Sequence, residues 1–187
     1  MKKHALVLLV GLTCVAGTIL ANDFPRLVWQ DEFDGTAIDT NKWEFEVNAR
    51  GGGNNELQYY VTNNAWVSNG NLYIEARQER YAGPEGTREF TSSRLRTLNR
   101  GDWLYGRFEI RAKLPIGQGY WPAIWMLPTD EVYGTWASSG EIDIVEFKGQ
   151  EPNVIWGTLH YGKQWPDNRH SGTQFRSPDV DFTQDFH

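Results

Sequence analysis

Tyr105-Gly106-Arg107-Phe108-Glu109-Ile110-Arg111-Ala112-Lys113-Leu114 alternates between apolar and charged side chains without a break. Successive side chains of an extended strand point to opposite faces. Phe108, Ile110, Ala112 and Leu114 therefore define one face and Arg107, Glu109, Arg111 and Lys113 the other, which predicts a strand with one face on a core and one in water. Asn71 to Arg77 repeats the pattern: Leu72, Ile74 and Ala76 alternate with Tyr73, Glu75 and Arg77 after the turn pair Asn69-Gly70. Further turn signals stand at Gly51-Gly52-Gly53-Asn54, Gly83-Pro84, Asn99-Arg100-Gly101-Asp102 and Gly117-Gln118-Gly119, and no segment carries a convincing helical stripe. With no internal repeat and no linker between domains, short strands at this spacing predict an all-β sandwich.

The chain has 187 residues, 40% of them apolar and 14% aromatic, enough for one packed domain. Nine Trp and eight Tyr exceed what a core of this size requires, and flat amphipathic rings are surfaces on which sugar rings stack. A formal net charge of −6 without a basic cluster argues against nucleic acid as a partner.

The N-terminus reads as an export signal. Lys2 and Lys3 give the positive start, Ala5 to Leu20 the apolar run, and Ala21 the small residue before cleavage. The expected division is a signal peptide over 1–21 and one domain over 22–187, with a secreted, periplasmic or extracellular location and no membrane contact after cleavage. Cys14 lies in the signal, so the mature chain has no disulfide.

Tyr120 to Leu127 departs from simple alternation, since Trp121, Ala123, Trp125 and Leu127 fall on one side and Pro122, Ile124 and Met126 on the other. It reads either as a strand buried between two layers or as a tryptophan floor for a sugar cleft, with Pro122 requiring an edge or bulged position.

The chemistry concentrates in Gly140-Glu141-Ile142-Asp143-Ile144-Val145-Glu146-Phe147, where three acids interrupt a β-branched strand. In strict register Glu141 and Asp143 share a face and Glu146 points away. A β-bulge near Ile144 and Val145 brings all three together. The Cα atoms of Glu141 and Glu146 would then be roughly 13 Å apart, and long side chains leaning inward approach the ~5–5.5 Å carboxyl spacing of retaining glycosidases. Asp143 between them would bond the nucleophile, and its charge would raise the pKa of the acid. From spacing alone, a calcium cage or a solvated edge strand with paired charges is the alternative.

Glu141-Ile142-Asp143-Ile144-Val145-Glu146 resembles the active-site strand of family 16 glycoside hydrolases. It is accompanied in order by Asn54-Asn55-Glu56-Leu57-Gln58-Tyr59-Tyr60, Ser93-Arg94-Leu95, Tyr105-Gly106-Arg107-Phe108-Glu109, Gly119-Tyr120-Trp121-Pro122-Ala123-Ile124-Trp125-Met126 and Gly157-Thr158-Leu159-His160-Tyr161. The resemblance implies a concanavalin A-like β-jelly-roll with a cleft on its concave sheet, and hydrolysis with retention through a covalent glycosyl-enzyme. By position it makes Glu141 the nucleophile, Asp143 its assisting acid and Glu146 the acid/base. Trp121 and Trp125 match cleft residues, and Asn54, Arg94 and His160 match polar contacts to sugar. The bland alternatives are a structural histidine and an Arg94 that pairs with an acid.

The extra bulge residue resembles the laminarinase-like branch, an endo-β-1,3-glucanase, and the expected partner is a β-glucan met by a monomer. Mixed-linkage glucan or agarose as substrate, and a non-catalytic glucan-binding protein on the same fold, are the alternatives. No cofactor is expected for catalysis. The resemblance also implies a structural calcium, with Glu32 and Gly70 as ligands. Family members continue past Asp185-Phe186-His187 through several more strands, so the resemblance implies missing C-terminal strands and low stability for this chain alone.

Overall fold

The computed structural model describes residues 26–187. The expected signal segment 1–21 and Cys14 therefore lie outside the described residues. Among those described, the chain forms strands and two single 3-10 turns, Gly51–Gly53 and Thr62–Asn64, with no α-helix. Among the described residues no helix is long and apolar enough to cross a membrane. The strands are β1 (Glu44–Phe45), β2 (Gln58–Tyr60), β3 (Ala65–Ser68), β4 (Asn71–Ile74), β5 (Tyr81–Gly83), β6 (Gly86–Arg88), β7 (Phe90–Ser92), β8 (Leu95–Arg96), β9 (Ala123–Met126), β10 (Glu141–Phe147), β11 (Val154–Tyr161) and β12 (Arg169–Arg176). They fall into two compact units that divide at Arg107 and Phe108.

In the first unit the strands pair two by two: β1 with β8, β2 with β7 in parallel, β3 with β4, and β5 with β6. The β3–β4 hairpin shows how sequence sets register. Ser68 opposes Asn71, so the loop is the two residues Asn69 and Gly70. Both have positive φ, 51° and 67°, the backbone of a type I′ turn, which Asn-Gly adopts with least strain. This register puts Ala65 and Val67 opposite Ile74 and Leu72 on one face and Trp66 against Tyr73 on the other, their rings stacked 5.4 Å apart. A small core of Ala49, Tyr59 and Val61 lies nearby in the same unit, beside the buried hydrogen bond from Asn64 Nδ2 to Thr91 Oγ1.

The second unit is one antiparallel sheet in the order β12-β11-β10-β9. Beneath one face, Leu114, Phe147 and Phe182 form a core with Ala112, Val145, Ile155 and Val180 packed against it. Phe147 is fully buried, and burial of a side chain of that size is worth about 2 kcal/mol or more. This core fixes β10 from below and so sets which of its side chains rise on the other face.

One sequence expectation changes here, and one open alternative is decided. Tyr105–Leu114 is not a strand. Ala112 exchanges both backbone hydrogen bonds with His187, and the Leu114 amide donates to the Phe182 carbonyl, but no ladder extends over the whole run. A strand exists through its partner, and alternation alone does not supply one. The predicted core face is buried only at its end, since Phe108 and Ile110 are 37% and 45% exposed. Of the two readings of Tyr120–Leu127, the strand buried between layers is not the one that forms. Among the described residues Ala123–Met126 is the strand, it pairs with β10, and Trp121 and Leu127 are exposed. Pro122, which cannot donate to a ladder, stands just before this edge strand, where the missing N–H matters least.

Candidate active site

β10 forms a strand because Ile142, Ile144 and Val145 are β-branched and fit a pleated surface. Its register slips once. Toward β11, Asp143 faces Thr158 but Glu146 faces Trp156, so three steps on β10 match two on β11. Toward β9, Asp143 faces Trp125 and Val145 faces Ile124. The surplus residue is therefore Ile144, and the bulge that the sequence requires lies where it was expected. Beyond it the side-chain alternation is reversed, so Glu146 joins Glu141 and Asp143 on one face while Val145 and Phe147 enter the core.

Each outer acid is held by an indole. Trp136 Nε1 donates to Glu141 Oε2 at 2.6 Å. Trp121 Nε1 donates to Glu146 Oε1 at 3.2 Å, and Thr158 Oγ1 donates to Glu146 Oε2 at 3.2 Å. These N–H and O–H donors orient both carboxylates.

Asp143 lies between them and is buried, 6% exposed. Its carboxyl is pushed up from the usual range to about 6, first by burial and then by the charges of Glu141 and Glu146, with a hydrogen bond to Glu141 in the same sense and His160 opposing. The crowding that the sequence predicts around the acids is felt at Asp143. His160 of β11 faces Glu141 in register, and its Nε2 is 3.3 Å from Asp143 Oδ2. The approach is off the hydrogen-bonding direction, so Asp143 Oδ2 and His160 Nδ1 are both buried without a hydrogen-bond partner. Trp136 and His170 flank the His160 ring, with centroids 5.4 and 5.9 Å away.

Of the residues that sequence singled out, the second unit brings Glu141, Asp143, Glu146, Trp121, Trp125 and His160 onto or beside one sheet face. Trp125 is there by register, opposite Asp143. Asn54 and Arg94 belong to the first unit. Asn54 closes the 3-10 turn, and its Nδ2 donates to the Gly52 carbonyl at 3.2 Å. Arg94 forms an ion pair with Glu46 and lies over the Tyr60 ring at 6.0 Å. Glu32 is exposed. Gly70 sits in its hairpin turn with Asp34 Oδ1 3.8 Å from where a Cβ would stand.

Sequence reasoning missed Trp136 and Thr158. Thr158 was legible, because it stands two residues before His160 on a strand and so shares its face. Trp136 was not, since it comes from the aperiodic segment between β9 and β10.

A family model, glycosyl hydrolases family 16, matches residues 53–187. The chain belongs to family 16. It is 43% identical over 176 residues to glucan endo-1,3-beta-glucosidase A1 of Niallia circulans, with 87% of this chain and 26% of the relative covered. It is 48% identical over 169 residues to a beta-glucanase of Rhodothermus marinus, with 86% and 58% covered. The catalytic domain of an endo-1,3-beta-glucanase (laminarinase) from Thermotoga petrophila RKU-1 superposes with a TM-score of 0.79 at 41% identity, covering 86% of this chain and 67% of that one. The fold class of this family 16 chain is thereby the all-β jelly-roll sandwich. The chain spans between about a quarter and three fifths of the length of these two sequence relatives.

Proposed function

We propose that this family 16 chain carries the catalytic machinery of a retaining endo-β-1,3-glucanase, with Glu141 as nucleophile and Glu146 as acid/base. The observation that carries the reading is the bulge at Ile144, which places three acids on one face between indole donors. Laminarin-type β-1,3-glucan is the substrate proposed, on the strength of relatives whose names specify that linkage.

In the first half-reaction a Glu141 oxygen attacks the anomeric carbon. The glycosidic C–O bond breaks, and Glu146 gives its proton to the leaving oxygen. In the second, the Glu146 carboxylate takes a proton from water, whose oxygen attacks the anomeric carbon and frees Glu141. Asp143, hydrogen-bonded to Glu141 and near half-protonation at pH 6, orients the nucleophile and limits the charge accumulated in the trio. Trp121, Trp125 and Trp136 offer flat apolar surface for sugar rings beside the acids. Asn54, Arg94 and His160 are proposed as polar contacts to sugar, although Arg94 must share its guanidinium with Glu46.

The family needs no cofactor for this chemistry. A structural calcium is proposed at Glu32 and the Gly70 carbonyl, and Asp34 beside Gly70 supplies a further oxygen toward the 6–8 that calcium takes. A melting temperature that does not move with chelator would dispose of it. The protein is further proposed to be exported through residues 1–21 and to act as a monomer.

The decisive experiment is reducing-sugar release from laminarin, mixed-linkage glucan and agarose. Release from laminarin that Glu141→Ala and Glu146→Ala each abolish supports the reading. Degradation of agarose alone overturns the substrate, and tight laminarin binding without turnover makes the protein a glucan-binding module.

A further inference from the structure

Three side chains that the proposed hydrolysis employs also form a second arrangement on the acid-bearing face. Glu141 and Asp143 of β10 and His160 of β11 each offer one ligand atom, and the three atoms lie within 4.8 Å of one another. Asp143 is more than nine-tenths buried, and its Oδ2 has no hydrogen-bond partner although it faces His160 Nε2 at 3.3 Å. A buried carboxylate oxygen left without a donor is costly. His160 Nδ1 is also buried and unbonded, so nothing fixes the ring in the tautomer that would place a proton on Nε2. Two lone-pair donors therefore face each other 3.3 Å apart, close enough to share one cation beside them.

We propose that Glu141, Asp143 and His160 form a binding site for a transition-metal dication of the zinc type, and that the ion and glucan exclude each other. The second clause rests on the reading of Glu141 as the nucleophile. One imidazole nitrogen and two carboxylate oxygens are a donor set for Zn²⁺, Co²⁺ or Ni²⁺. With bonds of about 2.0–2.2 Å, neighbouring ligand atoms around a tetrahedral ion are roughly 3.4 Å apart. The Asp143 and His160 atoms already stand at that separation, and Glu141, anchored by Trp136, has only a short swing to complete the third corner. Ca²⁺ and Mg²⁺ fit poorly, because they call for all-oxygen shells of six or more donors. A fourth position stays open to water. An ion held there engages the carboxylate that would attack the sugar.

The test is calorimetric titration of chelator-treated full chain with ZnCl₂ at neutral pH. The expected result is one ion per chain, with affinity lowered about tenfold or more by His160→Ala and by Asp143→Asn. An exposed control, Asp167→Asn, keeps the wild-type isotherm, and MgCl₂ gives no saturable heat. No saturable zinc binding overturns the site, as do variants that bind like wild type or a control that loses affinity equally. Co²⁺ gives a readout that needs no variant: the strong visible absorption of a low-coordinate N/O site supports the assignment, and the pale spectrum of the hydrated ion overturns it. Laminarin separates the two readings. Zinc binding without any turnover sinks the hydrolase alone, whereas turnover that saturating zinc leaves unchanged sinks the mutual exclusion alone.

Discussion

The indole N–H of Trp136 donates to Glu141 Oε2 at 2.6 Å, from a segment outside any strand to the first residue of β10. A charge-assisted bond of that length is worth about 1.5–3 kcal/mol when both groups are withdrawn from water. Here Trp136 is part exposed, so the lower end applies. Trp136→Phe keeps the ring surface and removes the donor. The expected outcome is a fall in kcat/KM on laminarin of about tenfold, carried mainly by kcat, with the melting temperature nearly unchanged. A loss confined to KM would mean that the indole serves as a sugar platform and not as a nucleophile anchor.

The assigned roles of Glu141 and Glu146 differ in whether the leaving group needs a proton. On laminarin, both Glu141→Ala and Glu146→Ala should lower kcat by about a thousandfold or more. A dinitrophenyl β-glycoside of a laminarin oligosaccharide leaves without protonation. With that substrate Glu146→Ala should still form the glycosyl-enzyme, giving a burst of phenolate and a mass adduct that persists because no base activates water. Glu141→Ala should give neither. A burst from Glu141→Ala would show that the two roles are exchanged.

The candidate site was more legible in the sequence than the strand that seemed clearest. The bulge at Ile144 could be inferred because one face of β10 must be apolar, and the same residues in strict alternation would drive Glu146 into the core and turn Phe147 out of it. That is a constraint of burial, and it acts within a few residues. The alternation over Tyr105–Leu114 is as regular, yet strand formation there depends on a partner distant in sequence, and Ala112 and Leu114 bond to His187 and Phe182 without a ladder over the whole run. Trp136 was invisible for a related reason, since a loop side chain is placed by tertiary contacts that leave no period. Arg94 shows the ambiguity of single charges: its pairing with Glu46 was the bland alternative, and that is the contact the structure contains.

Asp143 makes stability depend on pH in a direction opposite to most acids. Its pKa stands at about 6 in the folded chain against 3.8 for an unperturbed aspartate. The folded state therefore holds the proton more tightly. Its contribution to stability is fully present below the unfolded pKa and is lost as pH rises through about 6. Asp143→Asn cannot ionise and escapes that loss. The difference in melting temperature, variant minus wild type, should rise between about pH 4 and pH 7 and then level off. A difference that stays flat over this window would mean that Asp143 ionises normally and that burial does not govern it.

Deletion of Ile144 tests whether the surplus residue does more than correct an odd spacing. Glu141 and Glu146 stand five residues apart, and the bulge is what brings them to one face. Removing Ile144 makes the spacing four. In even register the Glu141, Asp143 and Glu146 side chains still share the outer face, while Val145 and Phe147 still enter the core. No carboxylate is buried, so the deletion should cost about 1 kcal/mol and lower the melting temperature by only a few degrees. Laminarin cleavage should persist at a reduced level, because the bonds from Trp121 and Thr158 that orient Glu146 must re-form in a straighter strand. Exchanging Glu146 and Phe147 in the intact sequence is the contrasting change. It turns a carboxylate toward Leu114 and Phe182 and a phenyl ring toward the acids, which costs several kcal/mol. That exchange should lower the melting temperature by about 10 °C or more and abolish cleavage. Circular dichroism melts and reducing-sugar release read both variants. A simple deletion that unfolds as badly as the exchange would show that Ile144 holds β10 through its own packing and not only through the spacing it corrects.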